Sequence, residues 1–270
     1  MDMKTILLDV GGTFIKSAGG TQIPSRSNGS REEIAHALQK AIGPADGLEG
    51  IGVSIPGPFD YNEGRFLMKH KFAAVYGERF EDLCNLGQSR KIQFKYLHDV
   101  NAPLLGAVKM LGLQDCNAAL ITIGTGLGFS YAVRGSVQVS YNGSPAFSLW
   151  NRPCKDGILE DVVSARGICA AYARSGGDIS LSAKEISQRA YAGEQLALEV
   201  YGTMGSCLAQ VLQDLARKLE LDVLLFGGQV SSSLSLFEKP LRDVLGPVWI
   251  EAVPQGAVFE GLSSLFTNKL

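Results

Sequence analysis

The 270-residue sequence lacks an excess of charge of either sign. Its 25 lysines and arginines nearly balance 27 aspartates and glutamates, a formal net charge of -2. Proteins that bind nucleic acids or anionic membranes usually carry a basic excess, so we expect neither partner. No apolar run reaches the roughly 18 residues of a membrane span. The opening residues also lack the basic and apolar segments of a signal peptide, which predicts a cytoplasmic protein.

Cysteine is scarce and scattered along the chain. The five cysteines are odd in number and form no C-x-x-C pair; they are Cys84, Cys116, Cys154, Cys169 and Cys207. This pattern argues against a disulfide framework and predicts reduced, mostly buried thiols.

Three familiar motifs are missing as well. A P-loop needs Gly-Lys-Ser/Thr, and the chain contains no Gly-Lys pair. A dinucleotide fingerprint needs a helix after its glycines, whereas the residues after Gly128 alternate like a strand. Gly52-x-Ser54-x-Pro56 is not a nucleophile elbow, because the final glycine is absent. The 32 glycines therefore need another explanation.

Hydrophobic residues make up 46% of the chain, enough for a proper core, and their periodicity predicts an α/β protein. We predict strands at 4–10, near 21–25, at 50–55, 92–97, 117–123, 222–226 and 248–252, with further alternating strands after the turns at Gly11 and Gly124. We predict helices at 30–42, 79–87, 101–112, 159–175, 183–191, 193–219, within 231–245 and over 256–267, and a loop with a short hairpin at 59–78. Ser30 and Glu33 form a capping box for the first helix.

The two halves of the chain share a plan. LLDVGGTFIKSAGG and LITIGTGLGFSYAVRG both read as an apolar strand, a glycine turn and an alternating strand. This indicates an internal pseudo-repeat, and two unrelated hairpins are the alternative.

Glycine turns at strand ends are typical of phosphate sites, because glycine lets backbone N–H groups approach an anion closely. Gly11-Gly12-Thr13 and Gly124-Thr125-Gly126-x-Gly128 are two candidate phosphate cradles, and Gly227-Gly228 is a third. Asp9 lies before the first turn and could hold a hydrated Mg²⁺. Lys16 either reaches phosphate or faces solvent.

Asp99 follows a predicted strand and precedes a predicted helix, a position suited to a general base in phosphoryl transfer. The alternative is that it only caps that helix. His98 either binds a sugar hydroxyl or packs. Pro56-Gly57-Pro58 is either a stiff substrate loop or a plain turn, and Glu160 either binds sugar or complements a helix dipole.

Together these motifs resemble the ROK family of bacterial sugar kinases, in the actin-like ATPase superfamily. DVGGTFIK (9–16) and IGTGLG (123–128) resemble its two phosphate motifs, GVSIPGP (52–58) its sugar loop, and FGGQV (226–230) its adenosine motif. HDVNA (98–102) resembles N-D-x-N-A, which implies that Asp99 is the base, and GILE (157–160) resembles G-C-L-E, which implies that Glu160 contacts sugar.

The chain departs from the family pattern in one region. The family often has G-E-x-G-H followed by a zinc-binding cysteine cluster. Here residues 144–149 read SPAFSL, and Asn151, Pro153 and Ile158 replace cysteines, leaving Cys154 alone. We therefore predict no structural zinc. Phe129-Ser130 stand where the family pattern has glycines, and His98 stands where it has asparagine. These changes leave the identity of the sugar open.

The resemblance implies a two-lobed ribonuclease H-like fold, with residues 1–105 and 256–270 forming a sugar and phosphate lobe and residues 106–255 a nucleotide lobe. It implies an ATP- and Mg²⁺-dependent hexose kinase and a homodimer. The chain begins at the first phosphate strand instead of a helix-turn-helix, so we expect no DNA-binding role. The rivals are a non-catalytic sugar or nucleotide sensor on the same fold and another acceptor kinase of the superfamily.

Overall fold

The computed structural model describes residues 3–86, 92–155 and 157–267. The chain divides into two compact units. The first comprises residues 1–112, 137–146 and 254–270, and the second comprises residues 113–136 and 147–253. Residues 137–146, assigned from the sequence to the nucleotide lobe, thus group with the first unit.

The strands lie mainly where the apolar runs predict them. In chain order they are β1 (Thr5–Val10), β2 (Phe14–Ser17), β3 (Gln22–Pro24), β4 (Gly50–Ile55), β5 (Phe59–Asp60), β6 (Arg65–Phe66), β7 (Gln93–His98), β8 (Ala118–Ile123), β9 (Leu127–Val133), β10 (Ser136–Val137), β11 (Pro153–Cys154), β12 (Gly157–Ile158), β13 (Val223–Gly227) and β14 (Trp249–Ala252).

The helices follow the same pattern. They are α1 (Arg31–Ile42), α2 (Phe80–Cys84), α3 (Asn101–Met110), α4 (Ala165–Arg174), α5 (Ala183–Tyr191), α6 (Gln195–Lys218), α7 (Glu238–Leu245) and α8 (Ala257–Ser264). Short 3₁₀ turns occupy Ala73–Val75, Leu159–Asp161 and Val230–Leu236. No helix of the described residues is long and apolar enough to cross a membrane.

Each unit contains a five-stranded sheet, and the two sheets have the same plan. The first has the order β3-β2-β1-β4-β7 and the second β10-β9-β8-β13-β14. In the first sheet, β1 pairs antiparallel with β2 across a glycine turn and parallel with β4. In the second sheet, β8 pairs antiparallel with β9 across a glycine turn and parallel with β13. The pseudo-repeat predicted from the sequence is therefore confirmed at the level of topology.

Local capping explains where two helices begin. Ser30 Oγ accepts from Glu33 N, and Glu33 Oε2 accepts from Ser30 N at 2.8 Å, so the predicted capping box starts α1. The predicted helix at 159–175 is wrong over its first turns. Ser164 is extended and its hydroxyl accepts from Gly167 N at 3.0 Å, so α4 begins only at Ala165, after the 3₁₀ turn.

The helix predicted within 231–245 is confirmed as α7, and a 3₁₀ segment with a kink at Ser233 precedes it. The short hairpin predicted at 59–78 is confirmed as β5 and β6. Of the helix predicted at 79–87, α2 covers the central part, and residue 87 lies outside the described residues. All five cysteines are unpaired, and three of them are buried.

Helices α3 and α8 pack at close range in the first unit because both carry glycine at the crossing. A methyl group built on Gly106 would lie 1.8 Å from the Ala257 carbonyl oxygen, and one on Gly261 would lie 2.0 Å from the Ala102 carbonyl oxygen. The backbones therefore approach as only glycine allows, and this contact fixes the C-terminal helix on the helix that follows Asp99.

We expect Gly106→Ala to lower the free energy of unfolding by roughly 1–3 kcal/mol, because the added methyl group forces two backbones apart. Gly202→Ala is the matched control. Gly202 lies inside α6 with nothing within 4 Å of an added Cβ, so helix propensity predicts a gain of about 0.5–1 kcal/mol. Thermal and urea denaturation measure both, and equal stabilities of the two variants would contradict this account of the crossing.

Candidate active site

The first unit gathers the sequence-predicted base, phosphate and sugar residues at one edge of its sheet. Strands β1, β4 and β7 are parallel, so their carboxyl ends meet there. In the register, Asp9 pairs with Ser54, and Ile55 pairs with His98. Asp99 follows directly.

Asp9 is held by its neighbour on β4. The buried Ser54 hydroxyl donates to Asp9 Oδ1 at 3.1 Å. Burial raises the pKa of Asp9, and the charge of Asp99 raises it further, whereas the Ser54 hydrogen bond and Lys16 act in the opposite direction. Lys16 pairs with Asp9 in the register between β1 and β2. The ionised Asp9 is therefore costly, and a bound cation would relieve that cost.

The first glycine turn has hydrogen-bond partners for its carbonyl groups but leaves two of its amides without one among the described residues. Gly11 N donates to Phe14 O at 2.9 Å, Ser27 Oγ donates to Gly12 O, and Ser25 N donates to Thr13 O. Within the described parts of the chain, the amides of Gly12 and Thr13 donate to no protein acceptor. Free N–H groups beside a half-buried carboxylate suit a metal-bound phosphate.

Asp99 does not cap the following helix. The N-cap of α3 is Val100, and no side chain caps it. Instead Asp99 Oδ1 lies 2.7 Å from His98 Nδ1, and the Asp99 side chain remains 42% exposed. The capping alternative left open by the sequence is therefore not supported, and the carboxylate is accessible to a substrate.

The Pro56-Gly57-Pro58 loop lies beside this pair. A methyl group on Gly57 would lie 3.3 Å from His98 Nε2 and 3.5 Å from Tyr61 Oη. The Tyr61 hydroxyl donates to Ile55 O at 3.0 Å, and its ring is 5.6 Å from the His98 ring. Burial raises the pKa of Tyr61, with the Asp99 charge adding to the effect, so the phenol stays neutral. Sequence reasoning missed Tyr61, which lies in a segment without periodicity.

Lys71 is the second residue that sequence reasoning missed in this unit. A methyl group on Gly12 would lie 2.9 Å from Lys71 Nζ, so the lysine side chain lies across the first glycine turn. No motif marks it, since residues 59–78 read only as loop.

In the second unit, the turn between β8 and β9 is tied to the segment that precedes α4. Glu160 Oε2 accepts from Leu127 N at 2.9 Å, and Ala165 N donates to Gly124 O at 2.8 Å. A methyl group on Gly126 would lie 2.8 Å from Glu160 Oε2, so a side chain at this position would displace the Glu160 carboxylate. Thr125 is exposed at the tip.

Glu160 also contacts Arg166, whose Nη2 lies 3.2 Å from its Oε1. The resemblance assigns Glu160 to the sugar, whereas its carboxylate here supports the second glycine turn of its own unit. A carboxylate has about four lone-pair sites, so these two partners leave acceptor capacity for a hydroxyl.

Gly227 and Gly228 end β13 beside a cavity of about 510 Å³, within the range of small-ligand pockets. Gly228 has φ +86°, and a methyl group there would lie 2.4 Å from the Ile123 carbonyl oxygen. The cavity is lined by Ala165, Ala183, Lys184, Ser187, Tyr201, Gly228, Gln229, Val230, Ser232 and Ser233. Burial raises the pKa of Tyr201 to about 12, so its hydroxyl is neutral. Lys184 and Tyr201 were not predicted.

A model of the ROK family matches residues 6–258, nearly the whole chain. The chain belongs to the ROK family. The resemblance inferred from its motifs is thereby confirmed.

Named relatives in the ROK family include kinases and regulators. A glucokinase of Halalkalibacterium halodurans is 28% identical across 93% of this chain and 88% of its own length. A ROK family glucokinase from Streptomyces griseus, solved with glucose and AMPPNP, has a TM-score of 0.75 at 20% identity, covering 97% of this chain and 98% of that one. A ROK family transcriptional regulator has a TM-score of 0.73 at 16% identity, covering 98% and 81%. These structures confirm the predicted actin-like α/β fold.

We expect Asp9→Asn to raise the melting temperature of the ligand-free protein at pH 8. Because burial raises the pKa of Asp9, its charged form costs stability that grows as pH rises through the folded-state pKa and is absent at low pH. The neutral amide avoids this cost and still accepts from Ser54.

Thermal denaturation at pH 8 and at pH 4 measures the effect, and the gain should shrink at the lower pH. Asp46→Asn is the matched control, because Asp46 is an exposed carboxylate of the same unit and should leave the melting temperature unchanged at both pH values. A lower melting temperature of Asp9→Asn at pH 8 would contradict the electrostatic account.

Proposed function

We propose that this protein is an ATP-dependent kinase that phosphorylates a hydroxyl of a hexose or a related sugar. One observation carries the proposal. The Asp99 carboxylate is accessible, does not cap a helix, and lies in the same unit as the first phosphate turn and the Pro56-Gly57 loop. The glucokinase relative and the glucokinase bound to glucose and AMPPNP support the same reaction class.

Asp99 is the proposed general base. The acceptor hydroxyl oxygen attacks the γ-phosphorus, the bond to the β–γ bridging oxygen breaks, and ADP leaves with that electron pair. Asp99 takes the hydroxyl proton as the new O–P bond forms. His98 Nδ1 lies 2.7 Å from Asp99 Oδ1 and accepts a hydrogen bond from Val100 N at 3.2 Å, which places the imidazole ring beside the base.

The sugar contacts in this proposal are Pro56, Gly57, His98 and Glu160, with Tyr61 completing the wall beside Gly57. Tyr61 and His98 offer hydrogen-bonding atoms to hydroxyl groups. The sugar is therefore recognised through hydrogen bonds beside the base, and the chain lacks the second family carboxylate in residues 144–149.

The nucleotide contacts comprise both glycine turns and the cavity beside Gly228. In the first turn Gly12 and Thr13 offer free amides, whereas the amide of Gly11 donates to Phe14 O, and Gly124, Thr125, Gly126 and Gly128 form the second turn. Asp9 fits a Mg²⁺ ion held through water, since a half-buried carboxylate with a raised pKa is relieved by a divalent cation. Such an ion would neutralise phosphate charge during transfer. Lys16, beside Asp9 in the register, adds positive charge.

We expect Asp99→Asn to lower kcat by about 10²–10⁴-fold, the usual contribution of a general base. The amide keeps the shape of the side chain but does not accept the proton. A coupled ADP assay over a panel of hexoses, amino sugars and glycosides measures turnover. Unchanged melting temperature and unchanged ADP affinity verify that the variant is folded.

If the wild-type protein phosphorylates no sugar of the panel but binds a sugar in a calorimeter, the result would favour the rival function, a non-catalytic sugar or nucleotide sensor. That rival is favoured by the regulator that shares the fold and by the lost family residues at 144–149. Full turnover by Asp99→Asn would instead refute the assignment of the base while leaving the kinase reaction in place.

We expect Gly228→Ala to weaken ADP binding by about tenfold to hundredfold, because the new methyl group clashes with the Ile123 carbonyl and reshapes the cavity wall. Gly193→Ala is the matched control. Gly193 has a similar φ of +89° with nothing within 4 Å of an added Cβ, so it suffers the backbone strain alone. Calorimetry measures both, and equal affinities of the two variants would exclude the cavity as the nucleotide site.

A further inference from the structure

The first phosphate turn carries a cation that no motif predicts. Lys71 Cδ and Nζ would each lie 2.9 Å from a methyl group built on Gly12, so the lysine side chain runs over the glycine itself. The absence of a side chain at Gly12 is what makes room for it. Any larger residue at this position would displace the lysine.

Lys71 is fixed there by its backbone. The adjacent Phe72 is fully buried, has a left-handed φ of 52°, and donates its N–H to Ser27 O at 2.6 Å. Ser27 in turn donates its hydroxyl to Gly12 O. Two hydrogen bonds through one serine therefore connect the backbone beside Lys71 to the glycine turn, while the Lys71 side chain itself is exposed.

The ammonium group has no anionic partner within the part of the chain that the structure describes. No ion pair or hydrogen bond joins Lys71 Nζ to a described residue, whereas some other lysines of the first unit have partners. Lys95 Nζ donates to Leu265 O, and Lys109 Nζ pairs with Glu260. An unpaired cation beside free turn amides is the arrangement expected of an anion site without its anion.

We infer that Lys71 binds the γ-phosphoryl group of ATP over the first glycine turn and stabilises its charge during transfer. This inference rests on the proposed function and deepens it. The γ-phosphoryl group is assigned because Asp99, the proposed base, belongs to the same unit as the turn and Lys71. A positive charge held over that group acts most strongly where negative charge develops in the transition state.

Lys71→Met is the direct test. We expect it to lower kcat by about 10²–10³-fold, the usual cost of removing one such charge-stabilising donor. The variant should also bind AMPPNP more weakly than wild type in a calorimeter, while its affinity for ADP, which has no γ-phosphoryl group, stays unchanged. Lys71→Arg should recover part of both losses because it restores the charge.

Lys69→Met is the matched control. Lys69 is two residues away, and its Nζ lies 5.5 Å from the Tyr76 ring centroid and not on the turn. We expect it to keep wild-type kcat and AMPPNP affinity. Equal losses in the Lys69 and Lys71 variants, or wild-type kinetics in Lys71→Met, would overturn the inference and leave the sugar kinase proposal intact.

Failure of the proposed function gives a different result. If wild type phosphorylates no sugar but binds AMPPNP more tightly than ADP, loss of that difference in Lys71→Met still supports the phosphate contact. If wild type phosphorylates no sugar and binds AMPPNP and ADP equally well, both the contact of Lys71 with the γ-phosphoryl group and the proposed phosphoryl transfer are refuted.

Discussion

Crowded negative charge is the constraint on which the site of the first unit depends. The parallel strands β1, β4 and β7 deliver Asp9 and Asp99 to one sheet edge, and burial together with the charge of Asp99 makes ionised Asp9 costly. The Ser54 hydroxyl and Lys16 offset part of that cost. A triphosphate would add further negative charge to this edge. The proposed reaction therefore requires cations at this edge. In the proposal, Lys71 and a Mg²⁺ ion at Asp9 would supply that positive charge.

The same topology serves two different electrostatic purposes. In the first unit the amides of Gly12 and Thr13 donate to no described acceptor, and an unpaired lysine lies across the turn. In the second unit the equivalent turn is fastened by the Glu160 carboxylate, which Arg166 holds in place. A negative group next to the second turn would repel phosphate unless Arg166 compensates it. The repeated strand-turn-strand plan thus gives the two units the same backbone arrangement. The side chains beside each turn, Lys71 in the first unit and Glu160 with Arg166 in the second, give the turns different charge.

The longer strands, the capping box of α1 and the two glycine turns could be predicted, because each depends on short-range patterns: apolar runs, Ser30 with Glu33, and glycine at a strand end. The two-residue strands β10, β11 and β12 were not predicted. The start of α4 was not predicted, because Ser164 interrupts a helical pattern whose apolar periodicity continues through it. Gly227-Gly228 was found correctly as a turn, but the kinked 3₁₀ segment after it has no distinct sequence signal.

The residues that sequence reasoning missed in the site share a cause. Tyr61 and Lys71 lie between β4 and β7 in a segment of short hairpin and loop, where neither a period of two nor one of 3.6 operates. Their places are set by long-range contacts, Tyr61 by its hydrogen bond to Ile55 O and Lys71 by Phe72 and Ser27. Such contacts are defined only once the chain is folded, so composition and spacing give no access to them.

Two of the departures from the family pattern contact each other. Phe129, which replaces a customary glycine, packs its ring 5.0 Å from that of Phe147, which lies in the segment that lacks the family's glutamate and histidine. Tyr131 joins them at 5.2 Å from Phe147. In the first unit, Asn142 Oδ1 accepts from Ser140 Oγ and Ser144 N, which shapes the preceding turn.

The backbone carbonyl groups of this turn, residues 140–144, accept hydrogen bonds from other residues of the first unit. Tyr61 N donates to Asn142 O at 2.9 Å, and Asn101 Nδ2 donates to Gly143 O at 3.2 Å. Gly143 is required there, since it has φ +82° and a methyl group would lie 2.6 Å from Tyr61 Cβ. Residues 144–149 of this segment contain no carboxylate. In the proposed function the sugar therefore has Asp99 and Glu160 as its carboxylate partners and gains no further carboxylate from residues 144–149.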